Sequence, residues 1–139
     1  MAKQANVTWV KKRQFVGTDD TKHSVVMSSQ DEANGVGMSP SQLLLVALGG
    51  CTSYDVVNIL EKKREPLTGL EVRVTGHQDE DPPWTYRRIH IEYVLTGEGL
   101  SEKAVRDAIE LSEEKYCSVA ATVRGKAEIT YEYRIVDEG

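Results

Sequence analysis

At 139 residues, with 40% hydrophobic and 28% charged residues, the chain has the length and composition of one globular domain, residues 1–139, with a core of its own. Its formal net charge of -5 argues against nucleic acid and anionic membrane surfaces as partners, since both draw basic patches. No uninterrupted apolar run reaches the roughly 18 residues of a membrane span, and residues 43–48 are too few and too deep in the chain for a signal peptide. Two cysteines without a secretion signal point to the reducing cytoplasm and away from a permanent structural disulfide.

Residues 5–17 read as one strand, with Val7, Trp9 and Phe15 on one face. Lys11 and Arg13 share that face if the alternation is unbroken. A cation there is either a long stem snorkelling to water or a charge aimed at an anionic or polarisable site. Residues 18–21 read as a turn and 23–29 as a second strand, so the two strands form a hairpin. A polar connection, residues 30–38 with Asn34, Gly35 and Gly37, leads to a long helix. Ser39 with Gln42 makes a capping box, Pro40 suits the first helical position, and Pro66 limits the helix to about Arg64. The first three turns are apolar on all sides, as in a buried helix. Gly49 and Gly50 sit in its interior, each about 1 kcal/mol worse than alanine, so another backbone or a ligand is expected close beside Cys51.

Residues 69–77 and 86–95 alternate, with Leu70, Val72 and Val74, then Ile89, Ile91, Tyr93 and Leu95, facing inward. They form a second antiparallel hairpin around an acidic, proline-containing loop. Ser101 caps an amphipathic helix whose stripe is Ala104, Val105, Ala108, Ile109, Leu111, Ser112 and Tyr116. Cys117 opens a short helical piece that ends at Gly125, and residues 126–136 form a last alternating strand. The order is strand–strand–helix–strand–strand–helix–short helix–strand, an α+β fold and not a doubly wound one. The long helix has more apolar surface than one sheet can cover, and a second subunit is a natural source of the missing cover.

The chemistry narrows to the cysteines. The sequence has no phosphate loop, no GxSxG and no CxxC, and His23, His77 and His90 show no metal spacing. The residues one and two helical turns from Cys51 are Leu44, Ala47 and Leu48 on one side and Tyr54, Asp55 and Asn58 on the other. A half-apolar, half-polar surround suits a thiol acting on an amphiphilic substrate, with Leu44, Leu48, Tyr54 and Asp55 as substrate contacts. Asp55 repels a thiolate four residues away, so a nearby cation is expected. Cys117, at the start of a helical piece, is placed to feel free amides that lower a thiol pKa.

The run Pro40-Ser41-Gln42-Leu43, seven small or apolar residues, then Cys51-Thr52 and Asp55-Val56-Val57, resembles the signature of the OsmC/Ohr family. Glu114-Lys115-Tyr116-Cys117-Ser118-Val119 resembles its second cysteine motif, and the Gly49-Gly50-Cys51 and Lys115–Ala120 runs are shared with its YhfA-like branch. The resemblance implies an intertwined homodimer, with sheets wrapped around long central helices. It implies that Cys51 is the peroxidatic thiolate attacking a small organic hydroperoxide, that Cys117 closes a disulfide with it, and that an external dithiol reduces the pair. No metal or bound cofactor is implied. The family's activating arginine falls, by the same resemblance, on Arg13, and the glutamate that holds it falls on Ser41. That replacement keeps two other readings open: a dimer binding a small apolar or thiol-reactive molecule, and a redox sensor.

Overall fold

The computed structural model describes residues 1–139, which form two compact units, Met1–Leu44 and Leu45–Gly139. The first unit carries an antiparallel sheet in the order β1 (Ala5–Lys11), β2 (Gln14–Asp19), β3 (Ser24–Ser28). The single strand expected over residues 5–17 is therefore two strands. The chain reverses at Lys12, whose φ of 48° is left-handed, and the Trp9 indole N–H donates to the Lys12 carbonyl at 2.8 Å. Neither Lys12 nor Arg13 is a turn-forming residue type, so the sequence carried no punctuation there. Trp9 still pairs with Phe15 and Val7 with Gly17, so Val7, Trp9 and Phe15 share a face, but Arg13 sits in the turn rather than on it. The turn expected at residues 18–21 is present: the Asp19 carboxylate accepts from the His23 amide and from the Thr21 hydroxyl and amide, which holds its pKa below the ordinary value.

The long helix α1 (Pro40–Lys62) begins in the first unit and continues in the second. Ser39 Oγ accepts from the Gln42 amide at 3.2 Å, as the capping pattern requires. Regular helix ends at Lys62, two residues short of the expected end, and Arg64 takes a positive φ. Although no uninterrupted apolar run is long enough, α1 is long enough to cross a membrane and contains an 18-residue stretch that is apolar enough on average. Its buried residues in the second unit, Leu45, Leu48, Gly49, Thr52, Val56 and Leu60, are core residues.

The second unit holds a sheet in the order β4 (Leu67–Gln78), β5 (Tyr86–Gly97), β6 (Glu128–Asp137). The β4–β5 hairpin is antiparallel and in the expected register, and Ile89, Ile91, Tyr93 and Leu95 of the central strand are all buried. β5 and β6 are parallel, a pairing that requires the crossover formed by α2 (Glu102–Leu111), a π turn (Ser112–Tyr116) and α3 (Ser118–Val123). Ser101 caps α2, accepting from the Ala104 amide at 3.2 Å. Val105, Ala108, Ile109 and Ser112 are buried as the stripe predicts, whereas Leu111 and Tyr116 are exposed.

The two glycines of α1 differ. A Cβ on Gly49 would lie 3.2 Å from Val74 Cγ2, so Gly49 lets the helix approach β4. A Cβ on Gly50 would meet nothing within 4 Å. The close neighbour expected at both is, at Gly49, a strand of the same unit. Val46, Gly50 and Tyr54, four residues apart, form an exposed line on the helix.

Candidate thiol site

Cys51 is half-buried on α1, and one turn on, at the spacing that puts side chains on one face, stands Asp55. Cys117 comes from the other side of the unit, as the N-cap of α3, and is 2% exposed. The two sulfurs and a carboxylate oxygen of Asp55 all lie within 4.8 Å of one another. Residues 66 apart in sequence thus meet because the π turn returns the chain from α2 to the helix; the Cys117 amide donates to the Ser112 carbonyl at 2.9 Å.

Beneath the thiols runs a buried polar chain. Ser112 Oγ donates to Asp55 Oδ2 at 2.9 Å and lies 2.9 Å from Thr52 Oγ1. Thr52 Oγ1 is hydrogen-bonded to Tyr93 Oη, which donates to Glu113 Oε1 at 2.6 Å. Arg124 closes the chain, with Nη2 3.7 Å from Glu113 Oε2 and donating to the Glu113 carbonyl. Thr52, Tyr93 and Ser112 are fully buried and Glu113 nearly so, and every buried side-chain polar atom of the protein has a partner. A satisfied network of this kind fixes geometry, because each member is costly to leave unpaired.

Burial sets the acid–base character here. It pushes the Cys117 thiol up to about 12, helped by the hydrogen bond to Cys51, and the Ala120 amide at 3.3 Å only partly offsets it. The lowered Cys117 pKa expected from its position at a helix start is therefore reversed: the free amide is present, but desolvation of a thiolate is the larger effect. Burial likewise raises Glu113, outweighing the Tyr93 hydroxyl and the Arg124 charge, with Asp55 adding repulsion. Tyr93 is raised by burial and by Glu113.

A cavity of about 500 Å³ opens beside Asp55. Tyr54, Asn58, Ile59, Lys62, Lys63, Leu111 and Tyr116 line it with Asp55. Tyr54, Asp55, Cys51 and Cys117 are thus gathered in one region of the second unit. Leu48 is 1% exposed, within the core. Leu44 is exposed at the end of the first unit. Arg13 lies in the first unit, where its amide donates to Asn34 Oδ1 and its guanidinium to the Lys12 carbonyl. Ser41 Oγ is 3.2 Å from Ser39 Oγ.

Sequence reasoning missed Thr52, Tyr93, Ser112, Glu113 and Arg124. The signal was there for three of them. Thr52 lies on the buried helix, Tyr93 stands between Ile91 and Leu95 on an inward face, and Ser112 interrupts the apolar stripe of α2. Polar residues at inward positions on three elements imply that those elements meet through hydrogen bonds.

Residues 30–132 match the OsmC-like protein family. The chain is 38% identical to protein YhfA of Escherichia coli K12 over 135 residues, which cover 96% of this chain and 98% of that protein. A hypothetical protein from Aquifex aeolicus has the same fold with a TM-score of 0.82, 29% identity and 99% of both chains covered. The organic hydroperoxide resistance protein OhrB of Bacillus subtilis shares the fold at a TM-score of 0.63 and 14% identity, with 96% of this chain and 98% of that one covered.

Proposed function

The chain belongs to the OsmC/Ohr family, and on that premise we propose that it reduces organic hydroperoxides with Cys51 and Cys117 in the cytoplasm. The observation that carries this reading is the thiol pair: one half-exposed sulfur and one buried sulfur, within 4.8 Å, on separate rigid elements. The name of the B. subtilis structural relative, an organic hydroperoxide resistance protein, supports the substrate class.

In the reaction, the Cys51 thiolate attacks the terminal oxygen of the hydroperoxide. An S–O bond forms to the terminal OH, the O–O bond breaks, and the alkoxide leaves and takes a proton from water to become the alcohol, so Cys51 becomes a sulfenic acid. The Cys117 sulfur then attacks the Cys51 sulfur, forming the disulfide and releasing water. An external dithiol restores both thiols. This chemistry needs no metal or bound cofactor. Tyr54, with Ile59 and Leu111 of the cavity, receives the apolar part of the substrate. Arg13 supplies the activating cation in an assembly in which residues 1–139 act as one functional domain of a homodimer. The exposed line of Val46, Gly50 and Tyr54 supports the dimer, because it leaves an apolar helix face uncovered.

The test is turnover. With a dithiol reductant, the protein consumes cumene hydroperoxide continuously and much faster than hydrogen peroxide, and Cys51→Ser abolishes consumption. A single stoichiometric oxidation without turnover supports the redox-sensor reading instead. Ser41, which stands where the resemblance places the glutamate that would hold Arg13, favours a different alternative, a dimer that binds a small apolar or thiol-reactive molecule. Thiols that stay reduced in excess hydroperoxide support the small-molecule binding domain.

A further inference from the structure

Asp55 sits beside two thiols, where a carboxylate opposes a thiolate, yet the fold anchors it there. Ser112 Oγ donates to Oδ2 at 2.9 Å, and it lies 2.9 Å from Oγ1 of the fully buried Thr52, which in turn lies within hydrogen-bond distance of Tyr93 Oη. The carboxylate's other oxygen is not engaged by that bond, and a carboxylate oxygen lies within 4.8 Å of both sulfurs. Cys117 has 2% exposure, so water has little access to its proton.

We infer that Asp55 is the base that takes the Cys117 thiol proton during disulfide closure and returns it to the departing hydroxide. This rests on the peroxidase reading above. In the step, the Cys117 S–H bond breaks and its proton goes to the Asp55 carboxylate. The sulfur's electron pair forms the S–S bond to Cys51, and the S–O bond of the sulfenic acid breaks with its electrons on oxygen. Asp55 then gives the proton to that oxygen, and water leaves. No electrons are gained or lost beyond the thiol and sulfenic acid that combine. The position explains what the carboxylate gains for the site: a thiol pushed up to about 12 by burial cannot ionise on its own near neutral pH, and a base within reach removes that obstacle. The titratable groups around Asp55 are Cys51, Tyr54, Lys62 and Lys63 from α1, Glu113 and Tyr116 from the π turn, and Cys117.

The experiment separates sulfenic acid formation from disulfide closure. Reduced protein is mixed with one equivalent of cumene hydroperoxide, quenched with dimedone at set times, and analysed by intact mass. In the native protein the disulfide outruns the trap, and in Cys117→Ser the Cys51–dimedone adduct accumulates. Asp55→Asn keeps an oxygen to accept from Ser112, so it spares the network. The expected result is closure slowed by about 10²-fold, the loss typical of one general base, with the adduct accumulating. Closure in this variant rises about tenfold per pH unit as hydroxide takes over, whereas native closure stays nearly flat from about pH 6 to 9. Asp55→Glu restores much of the rate, which a merely structural role for Asp55 would not produce. Native closure that itself climbs about tenfold per pH unit over that range overturns the inference without any variant. So does Asp55→Asn closing at the native rate while Cys117→Ser still gives the adduct. Absence of the adduct in Cys117→Ser overturns the peroxidase reading, and this inference with it.

Discussion

Tyr93→Phe tests the buried network most directly, because it deletes one oxygen and leaves the ring in place. The hydroxyl is hydrogen-bonded to Thr52 Oγ1 and donates to Glu113 Oε1 at 2.6 Å. Its loss leaves Glu113, 4% exposed, with one carboxyl oxygen short of a donor, and deprives a fully buried Thr52 of one of its two partners. An orphaned buried polar group costs about 1–3 kcal/mol, and Thr52 keeps Ser112 while Glu113 keeps Arg124, so the sum falls near 2–4 kcal/mol. With a urea m-value of about 2 kcal/mol/M, the unfolding midpoint should drop by about 1–2 M at unchanged m. Tyr133→Phe is the control. Its hydroxyl also donates to a glutamate, Glu102, at 3.1 Å, but in solvent, and the change should stay within about 0.5 kcal/mol. A Tyr93→Phe midpoint as close to native as that of Tyr133→Phe refutes the idea that this network fixes the site.

Glu113 gives the pH dependence. Burial raises its folded pKa above the unfolded value, so the folded state holds a proton the unfolded state has released. The stability that this protonation contributes is fully present below about pH 4.5 and is lost as pH rises through the folded pKa. Glu113→Gln mimics the protonated form, so urea unfolding of the variant should lose less stability between pH 5 and 8 than the native protein, and an equal loss rules this out. Gly49→Ala places a Cβ 3.2 Å from Val74 Cγ2, and crowding should outweigh the helix-propensity gain of about 1 kcal/mol, giving a net loss in thermal unfolding. Gly50→Leu has open space within the chain, so its expected effect is on the proposed dimer, shifting sedimentation equilibrium toward monomer. A native protein that sediments as a monomer contradicts the dimer. Ser101→Ala removes the cap of α2 and should cost about 1 kcal/mol by denaturant unfolding.

Local chemistry made much of the fold legible. Ser39, Pro40 and Gln42 mark the start of α1, Ser101 marks α2, and strict alternation places Ile89, Ile91, Tyr93 and Leu95 inward. Two features escaped because they depend on the chain at a distance. The parallel pairing of β5 with β6 is decided by where the crossover packs, and nothing in either strand encodes it. The reversal at Lys12–Arg13 uses residues that carry no turn preference, so a hairpin read as one strand. At the site, the resemblance identified both cysteines. The raised Cys117 pKa could not be read from its helix-start position, because the core in which it is buried also gathers residues of α1 and β5, far away in sequence.

The central claim is that Cys51 and Cys117 work as a pair on organic hydroperoxides. Intact mass of the reduced protein after one equivalent of cumene hydroperoxide tests it most directly. The expected result is a loss of about 2 Da with disappearance of both free thiols, and Cys51→Ser should retain its remaining thiol and its mass. A reduced protein whose mass and two thiols persist in excess hydroperoxide would contradict it.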